Sequence, residues 1–378
     1  MERRLLADLS IWLKSYERKP LILRGAPQVG KTWLVRHFAE QSGLELIEIN
    51  FERNASYSSL FDANNPEQIL VNLSTLTQKK ISPAASLLFL DEIQLAPQML
   101  SKLRWFAEDL PQLAVIAAGS LLEFSLAQHS LSLPVGQITY RHLEPLSFEE
   151  FLLAQEKHVL CDYLQNITLE DPLPLNIHEQ YLASFKDYLL IGGMPACVDQ
   201  WCKEPAPMPI YQRQNDLLAT YRNDFTKYKV RTNPERLDNV MMAIPKMLGK
   251  KFVFSQVKKT LQAATIKHIL KLLEKARLCH RVQSTSANRV PLDADIQEKW
   301  FKEIFLDVGL CSAALGLPLN PFTTLDDLLL INQSALANQV VGQLLRTITP
   351  AYKEPALFCW QRDETGSSAE IDYIIQHG

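Results

Sequence analysis

Several features that would assign this chain to a familiar class of protein are missing from its sequence. The 378 residues contain no apolar run long enough to span a bilayer, and the charged, amphipathic start lacks the hydrophobic core of a signal peptide. The six cysteines form no CxxC pair, which argues against a zinc site built on paired cysteines, and we interpret all six as reduced, mostly buried thiols. The sequence therefore predicts a cytoplasmic protein with reduced thiols and no membrane partner.

Net charge identifies no partner either, since the formal value is only −3. Hydrophobic residues make up 47% of the chain, which excludes a disordered protein. A chain of this length exceeds one comfortable hydrophobic core, so we expect two or three domains. Evidence for the chemistry must therefore come from local motifs.

One eight-residue segment fits the phosphate-binding loop pattern GxxxxGK[ST], and its residues are Gly25, Ala26, Pro27, Gln28, Val29, Gly30, Lys31 and Thr32. An apolar run at 21–23 precedes it and a helical pattern follows it, which is the strand–loop–helix order that directs backbone N–H groups toward a polyphosphate. Lys31 would reach the β- and γ-phosphates, and the Thr32 hydroxyl would hold Mg²⁺. The alternative is a chance match in an ordinary glycine turn, and the flanking strand and helix argue against it.

A second motif follows about 60 residues downstream of Lys31. The continuous apolar run 86–90 is typical of a strand that is buried on both faces, and it ends in Asp91 and Glu92. Asp91 is placed to support the metal ion and Glu92 to polarise an attacking water. An acidic pair after an apolar run is common by itself, but after a phosphate-binding loop it indicates an ATPase.

A third apolar run, 113–118, ends at Gly119 and Ser120. In ATPases of this kind a small polar residue at this place senses the γ-phosphate, and Ser120 is the candidate. The sequence favours equally the alternative that Ser120 caps a helix that begins at residue 121.

Strands and helices alternate throughout the first part of the chain. Further strands are predicted at 44–51 and 138–143, and helices that start near a proline are predicted at 66–78 and 97–110. This alternation predicts an α/β fold with a doubly wound parallel sheet, and the nucleotide then belongs at the carboxyl ends of the strands.

The segment 246–281 differs from the rest of the chain in charge. It contains ten Lys or Arg residues against one acid, Glu274, so it carries +9 in a chain of −3. Ser255 and Thr265 can each cap a helix, and 278–282 is predicted to be a strand, an order that suggests a winged helix. The basic surface would suit duplex DNA, but a solvated lysine face that serves protein contacts is nearly as good an interpretation.

In this order the motifs resemble those of prokaryotic AAA-type ATPases in which the core precedes a conserved region of unknown function. Besides the two phosphate-site motifs, the resemblance depends on residues 118–122, 146–151, 192–195, 221–225 and 273–276. It covers nearly the whole chain and implies a P-loop ATPase core at 1–145, a helical lid at 146–230, a winged-helix-like domain at 231–290 and a truncated PD-(D/E)xK-nuclease-like region at 291–378. It implies ATP and Mg²⁺ as ligands and supplies no further substrate.

The sequence departs from that resemblance at two places. Similar proteins carry an arginine where this chain has Gln137, so a trans-acting arginine is missing there, and Arg141 is only a weak substitute. In the nuclease-like region Asp372, helped at most by Glu370, is the acid that remains, because Asn338 stands where a Glu is expected and the chain stops before the strand that should carry the second acid and the Lys. We therefore expect a truncated region that does not cut DNA.

Three functions are compatible with these features to different degrees. The first is an Mg²⁺-dependent ATPase that uses hydrolysis as a conformational switch, and the second is a nucleic-acid-binding regulator whose nucleotide site is mainly structural. The third, an ATP-linked nuclease, is disfavoured by the missing acids. Because AAA-type sites often need an arginine from a neighbouring subunit, a homo-oligomer is also compatible with the sequence.

Overall fold

The computed structural model describes residues 1–119, 136–168, 170, 172–227, 233–316, 325–364 and 367–376. It divides into two units: an N-terminal unit of residues 3–143 with 350–354, and a C-terminal unit of residues 1–2, 144–349 and 355–378. None of the helices within the described ranges has the length and apolar character needed to cross a membrane.

The N-terminal unit alternates strands with helices, as the sequence predicted. Its helices are α1 (Leu5–Leu13), α2 (Lys31–Gln41), α3 (Pro66–Thr77) and α4 (Met99–Asp109), and its strands are β1 (Leu21–Arg24), β2 (Glu45–Asn50), β3 (Ser86–Asp91), β4 (Ala114–Ala118) and β5 (Thr139–His142). The strands form one sheet in the order β2-β3-β4-β1-β5, and every neighbouring pair is parallel. The prediction of a parallel α/β sheet is therefore confirmed.

The middle strands of this sheet are apolar, and residues of α3 and α4 belong to the same buried core as they do. Every residue of β3 and β4 is buried, whereas β2 alternates between buried and partly exposed positions. The continuous apolar runs in the sequence arise from this burial. At the opposite edge, β5 receives a contact from the returning segment 350–354, in which the Ala351 carbonyl oxygen accepts a hydrogen bond of 2.8 Å from the His142 N–H.

The C-terminal unit is mainly helical and contains a second sheet. Its helices are α5 (Phe148–Ala154), α6 (His158–Asn166), α7 (Leu175–Ile191), α8 (Pro195–Lys203), α9 (Pro207–Lys227), α10 (Pro234–Met241), α11 (Phe254–Val257), α12 (Ala263–Lys275), α13 (Val308–Ala314) and α14 (Leu325–Thr347). Its strands are β6 (Cys279–Thr285), β7 (Ile296–Phe305), β8 (Leu357–Glu364) and β9 (Ser367–Ile374). The sheet order is β7-β6-β8-β9, in which β6 pairs with β8 in parallel and the other two pairs are antiparallel.

Several local expectations for this unit were wrong. Ser255 and Thr265 cap no helix, because α11 already begins at Phe254 and α12 begins at Ala263, after Gln262. The two alanines at 263 and 264 favour helix, so α12 starts before the threonine. Residues 357–364 and 367–374 pair with each other as strands β8 and β9.

A buried carboxylate, Asp307, joins three parts of the C-terminal unit. Its Oδ1 accepts hydrogen bonds from the N–H groups of Gly309 (3.0 Å) and Leu310 (3.1 Å), which caps α13. Its Oδ2 accepts from the Gly193 N–H (2.6 Å) after α7 and from Gln343 Nε2 (3.1 Å) on α14. The glycine motif at 192–195 therefore supplies a backbone donor to this junction.

The stability of this unit should depend on pH through Asp307. Burial raises the pKa of Asp307 to about 6, although the hydrogen bonds from Gly193, Leu310, Gln343 and Gly309 oppose that shift. Folding then favours the protonated form, so the free energy of unfolding should fall as the pH rises from about 4 to about 6, by at most ~1.4 kcal/mol per pH unit. Asp307→Asn should flatten this dependence, as measured by urea unfolding at several pH values.

The control for that experiment is Asp293→Asn, which removes an exposed carboxylate from the same unit. It should leave the pH dependence close to that of the wild type. An equal slope in the Asp307→Asn protein and the wild type would contradict the prediction, whatever the loss of stability at a single pH.

Candidate functional site

The phosphate-binding pattern lies where the sequence predicted it, between β1 and α2. Gly25 follows β1 directly, and a Cβ atom there would stand 2.5 Å from the carbonyl oxygen of Leu143, so no other residue fits. Gly30 precedes α2 with a φ of 96°, in the left-handed region that glycine adopts most easily. Both glycines of the pattern are therefore required by the backbone.

Lys31 is buried and folds back over this loop. Its Nζ donates hydrogen bonds to the carbonyl oxygens of Gly25 (3.0 Å) and Ala26 (2.8 Å). The ammonium is therefore held beside the N-terminus of α2, where backbone N–H groups and the helix dipole favour an anion. The position suits a residue that binds phosphate.

Thr32 and Asp91, to which the sequence analysis assigns the same metal ion, lie within hydrogen-bonding distance of each other. The Thr32 hydroxyl donates to Asp91 Oδ2 at 3.1 Å, although the residues are 59 apart in sequence. Burial raises the pKa of Asp91, and the hydrogen bonds from Thr32 and Asn50 oppose that effect. A hydroxyl and a carboxylate are hard oxygen ligands, so the pair fits Mg²⁺.

Asn50 is part of this group, although the sequence analysis missed it. It ends β2 and lies in register with Asp91 on the adjacent strand β3. Its Nδ2 donates to Asp91 Oδ2 at 3.0 Å, while its Oδ1 accepts from the N–H groups of Glu52 and Arg53. The signal that could have found it is a polar side chain at the carboxyl end of an otherwise apolar strand.

Glu92 follows β3 in a left-handed backbone conformation, with a φ of 53°. Burial raises the pKa of Glu92, and the charge of Asp91 raises it further. A hydrogen bond from Gln94 lowers this pKa and so opposes both effects. Gln94 Nε2 donates to Glu92 Oε2, a partner that the sequence analysis also missed. Because the charge of Lys31 lowers this pKa, the acid and the lysine belong to one electrostatic environment.

Two further candidates have different outcomes. Ser120 lies outside the described residues, so its role in sensing the γ-phosphate stays a prediction. Arg141, the weak substitute for a trans-acting arginine, forms an ion pair with Asp8, and its guanidinium lies 5.9 Å from the centre of the Tyr352 ring. Its Nη1 also donates to the carbonyl oxygen of Tyr140 at 2.8 Å. Arg141 is therefore engaged within the N-terminal unit.

The acids of the expected nuclease-like region have a partner that the sequence did not reveal. Lys302, a fully buried residue of β7, forms ion pairs with Glu370 and, at 2.6 Å, with Asp372 on β9. Tyr373 donates a hydrogen bond of 2.8 Å to Asn338 Oδ1 beside them. In the described ranges of the chain, no group of three or more His, Cys, Asp or Glu side chains could hold a metal ion.

The basic segment 246–281 is only partly exposed. Lys258 pairs with Glu235 at 2.8 Å, and Arg281 pairs with Glu274 at 2.5 Å and with Glu303 at 3.2 Å. The exposed cations of the segment are Lys246, Lys250, Lys251, Lys259, Lys267 and Lys271. The positive charge that is available to a binding partner is therefore smaller than the +9 counted from the sequence.

Arg277, a further cation of that segment, belongs to a buried group around Glu144. Its Nη2 lies 2.7 Å from Glu144 Oε1, and Arg346 Nη2 lies 2.9 Å from the same atom. Burial alone would raise the pKa of Glu144, but the charges of Arg346 and Arg277 hold it well below its usual range. Arg277 is therefore committed to this internal ion pair.

Comparison with known proteins adds to this geometry. Residues 17–152 match a family model described as an AAA domain. This segment is similar to AAA-type P-loop domains. Residues 182–320, in the C-terminal unit, match a model described as a domain of unknown function. No curated protein matches the chain.

Solved structures provide a comparison of the fold. A Walker-type ATPase of Pyrococcus abyssi is similar, with 14% sequence identity and a TM-score of 0.50. The alignment covers 83% of this chain and 95% of the Pyrococcus chain. At this identity the likeness concerns the fold alone. The Thermotoga maritima RuvB Holliday junction branch migration motor is 16% identical in an alignment that covers 75% of this chain and 90% of the RuvB chain. Its TM-score of 0.36 is too low to show a shared fold.

Proposed function

We propose that this chain is an Mg²⁺-dependent ATPase that uses hydrolysis as a conformational switch. The observation that carries the proposal is the meeting of Thr32 with Asp91 beside the buried ammonium of Lys31. An AAA domain match over residues 17–152 supports the same conclusion. Phosphoryl transfer needs positioning and charge neutralisation, with little covalent chemistry from the protein, and these residues suit that task.

Each residue has a distinct role in this proposal. The loop 25–32 binds the polyphosphate through backbone N–H groups, and Lys31 exchanges its carbonyl partners for the β- and γ-phosphate oxygens. Thr32 and Asp91 hold Mg²⁺, which when bound neutralises phosphate charge. Glu92 accepts a hydrogen bond from the attacking water, and Ser120 senses the γ-phosphate. Asn50 holds the Asp91 carboxylate in place through its hydrogen bond to Oδ2.

Replacement of Lys31 and Glu92 should separate binding from turnover. Lys31→Ala should abolish ATP binding, because it removes the cation that faces the phosphates. Glu92→Gln should keep binding and lower turnover by about 10²- to 10⁴-fold, because the amide keeps the shape without the carboxylate. Binding can be measured with a fluorescent ATP analogue and turnover by phosphate release.

The matched controls are Lys14→Ala and Glu108→Gln, which change exposed residues of the same unit. Both should bind and hydrolyse ATP as the wild type does. Unchanged turnover in the Glu92→Gln protein would refute the role of that residue.

The finer division of the C-terminal unit belongs to the same proposal. We assign residues 146–230 to a helical lid, 231–290 to a winged-helix-like domain and 291–378 to a nuclease-like region. The order α10, α11 and α12 followed by strand β6 supports the winged helix. We also propose a cytoplasmic location, and self-association if a partner subunit supplies the arginine that Gln137 replaces.

Duplex DNA is the partner that we propose for the basic segment 246–281. Its exposed lysines could each neutralise a phosphate, and the affinity would then fall steeply with salt. The second candidate function, a DNA-binding regulator whose nucleotide site is mainly structural, depends on this surface too. Turnover that DNA stimulates favours the ATPase, whereas DNA affinity with no turnover favours the regulator.

A charge reversal tests this surface. Lys259→Glu, Lys267→Glu and Lys271→Glu combined should weaken duplex binding and flatten its salt dependence, since each phosphate contact contributes roughly −0.9 to the log–log slope. The control combines Lys14→Glu, Lys80→Glu and Lys353→Glu, which make the same charge change on exposed residues of the N-terminal unit. If the two triple variants bind DNA equally, or if the wild type shows no salt-sensitive binding, the segment is only a solvated face.

DNA cleavage with Mg²⁺ or Mn²⁺ is not expected. A metal-dependent nuclease needs several convergent carboxylates, whereas Asp372 and Glu370 are both paired with Lys302 and Asn338 offers a neutral oxygen. A plasmid-nicking assay should show no activity above background, in the wild type as in Asp372→Ala. Metal-dependent cleavage that disappears in Asp372→Ala would contradict this expectation.

A further inference from the structure

The side chain of Gln94 is buried beside the proposed water-polarising residue. It belongs to the short 3₁₀ helix Ile93–Leu95 that follows β3, and only 4% of it is exposed. Its Nε2 donates to Glu92 Oε2. A primary amide donor orients a carboxylate without adding charge to it, and it occupies only one of the two oxygens.

The backbone that carries Gln94 is held firmly. Ile93 and Ala96, on either side of it in the chain, are buried in the core of the N-terminal unit. The Leu95 N–H donates to the Glu92 carbonyl oxygen at 3.0 Å, and the Ala96 N–H donates to the Ile93 carbonyl oxygen at 3.0 Å. Gln94 therefore has a fixed platform from which to orient Glu92.

The Gln94 amide occupies space that is free because the residue after strand β4, Gly119, has no side chain. Gly119 directly follows β4, and a Cβ atom there would stand 2.3 Å from Gln94 Oε1 and 3.4 Å from its Cδ. Any side chain at 119 would push the amide away from its place. The same residue that precedes Ser120 in the chain thus determines where the Gln94 amide can lie.

We propose that Gln94 is a positioning residue for ATP hydrolysis, which holds the Glu92 carboxylate toward the attacking water and depends on Gly119 for the space that its amide occupies. The inference rests on the proposed ATPase function, because it assigns a role only if Glu92 acts on water. It makes Gly119 a residue that acts through Gln94. Neither residue is assigned a part in binding ATP.

The first test replaces the amide by an apolar chain of similar length. Gln94→Met should lower kcat about ten- to a hundredfold, since small misplacements of a reacting group have effects of that size, while the KM and the Kd for ATP stay at their wild-type values. The control is Gln98→Met, which changes an exposed glutamine four residues after Gln94 and should leave kcat unchanged. Gln94→Glu, which keeps the length but turns the donor into an acceptor, should lower kcat as well and serves if the Met variant does not fold.

The second test is a double-mutant cycle with Gly119. Gly119→Ala should lower kcat as Gln94→Ala does, and the double variant should be no slower than Gln94→Ala alone, because the clash disappears with the amide. Independent losses that multiply in the double variant would overturn the role of Gly119 through Gln94. They would show that residue 119 acts through another group.

The experiments distinguish a failure of the positioning role of Gln94 from a failure of the proposed ATPase function. If the wild type hydrolyses ATP, Glu92→Gln does not, and Gln94→Met equals the wild type, only the positioning role is overturned. If the wild type binds ATP but neither it nor Glu92→Gln shows turnover, the ATPase function itself fails and the role of Gln94 fails with it.

Discussion

Burial of β3 and β4 on both faces is the constraint on which the N-terminal unit depends. Each residue of these strands lies in the core, so their side chains are apolar or small except where a strand ends. Polar groups that a ligand can reach are therefore confined to the carboxyl ends of the strands. Asp91 ends β3, Asn50 ends β2, and Gly119 follows β4, which brings the groups of the proposed site to one edge of the sheet.

The sequence predicts the elements of this unit well because their signals are local. Apolar runs mark β3 and β4, and the phosphate-binding pattern needs only eight consecutive residues. Asn50, Gln94 and Lys302 were not predicted, because a polar residue acquires such a role from a partner that the fold brings close. Lys302 and Asp372 are 70 residues apart, and no periodicity relates them.

Charge counts along the sequence had a similar limitation. The excess of +9 in 246–281 suggested a basic surface, but the tertiary structure uses part of that charge internally. Arg277 is buried against Glu144, and Arg281 lies between Glu274 and Glu303 with its guanidinium 4.0 Å from the centre of the Phe301 ring. Buried ion pairs of this kind are costly to break, because removal of one partner leaves a charge without compensation. The cations of the segment that stay exposed are Lys246, Lys250, Lys251, Lys259, Lys267 and Lys271.

The hydrogen bond between His142 and Ala351 affects how a fragment of this protein would behave when it is produced alone. The N-terminal unit is not one continuous stretch of chain, since residues 350–354 return to it from far downstream and cover part of the β5 edge. A fragment that ends at residue 152 would expose that strand edge, and unpaired edges promote association between chains. Aggregation of such a fragment would thus reflect the loss of this edge cover and would carry no information on whether the N-terminal unit self-associates in the full chain.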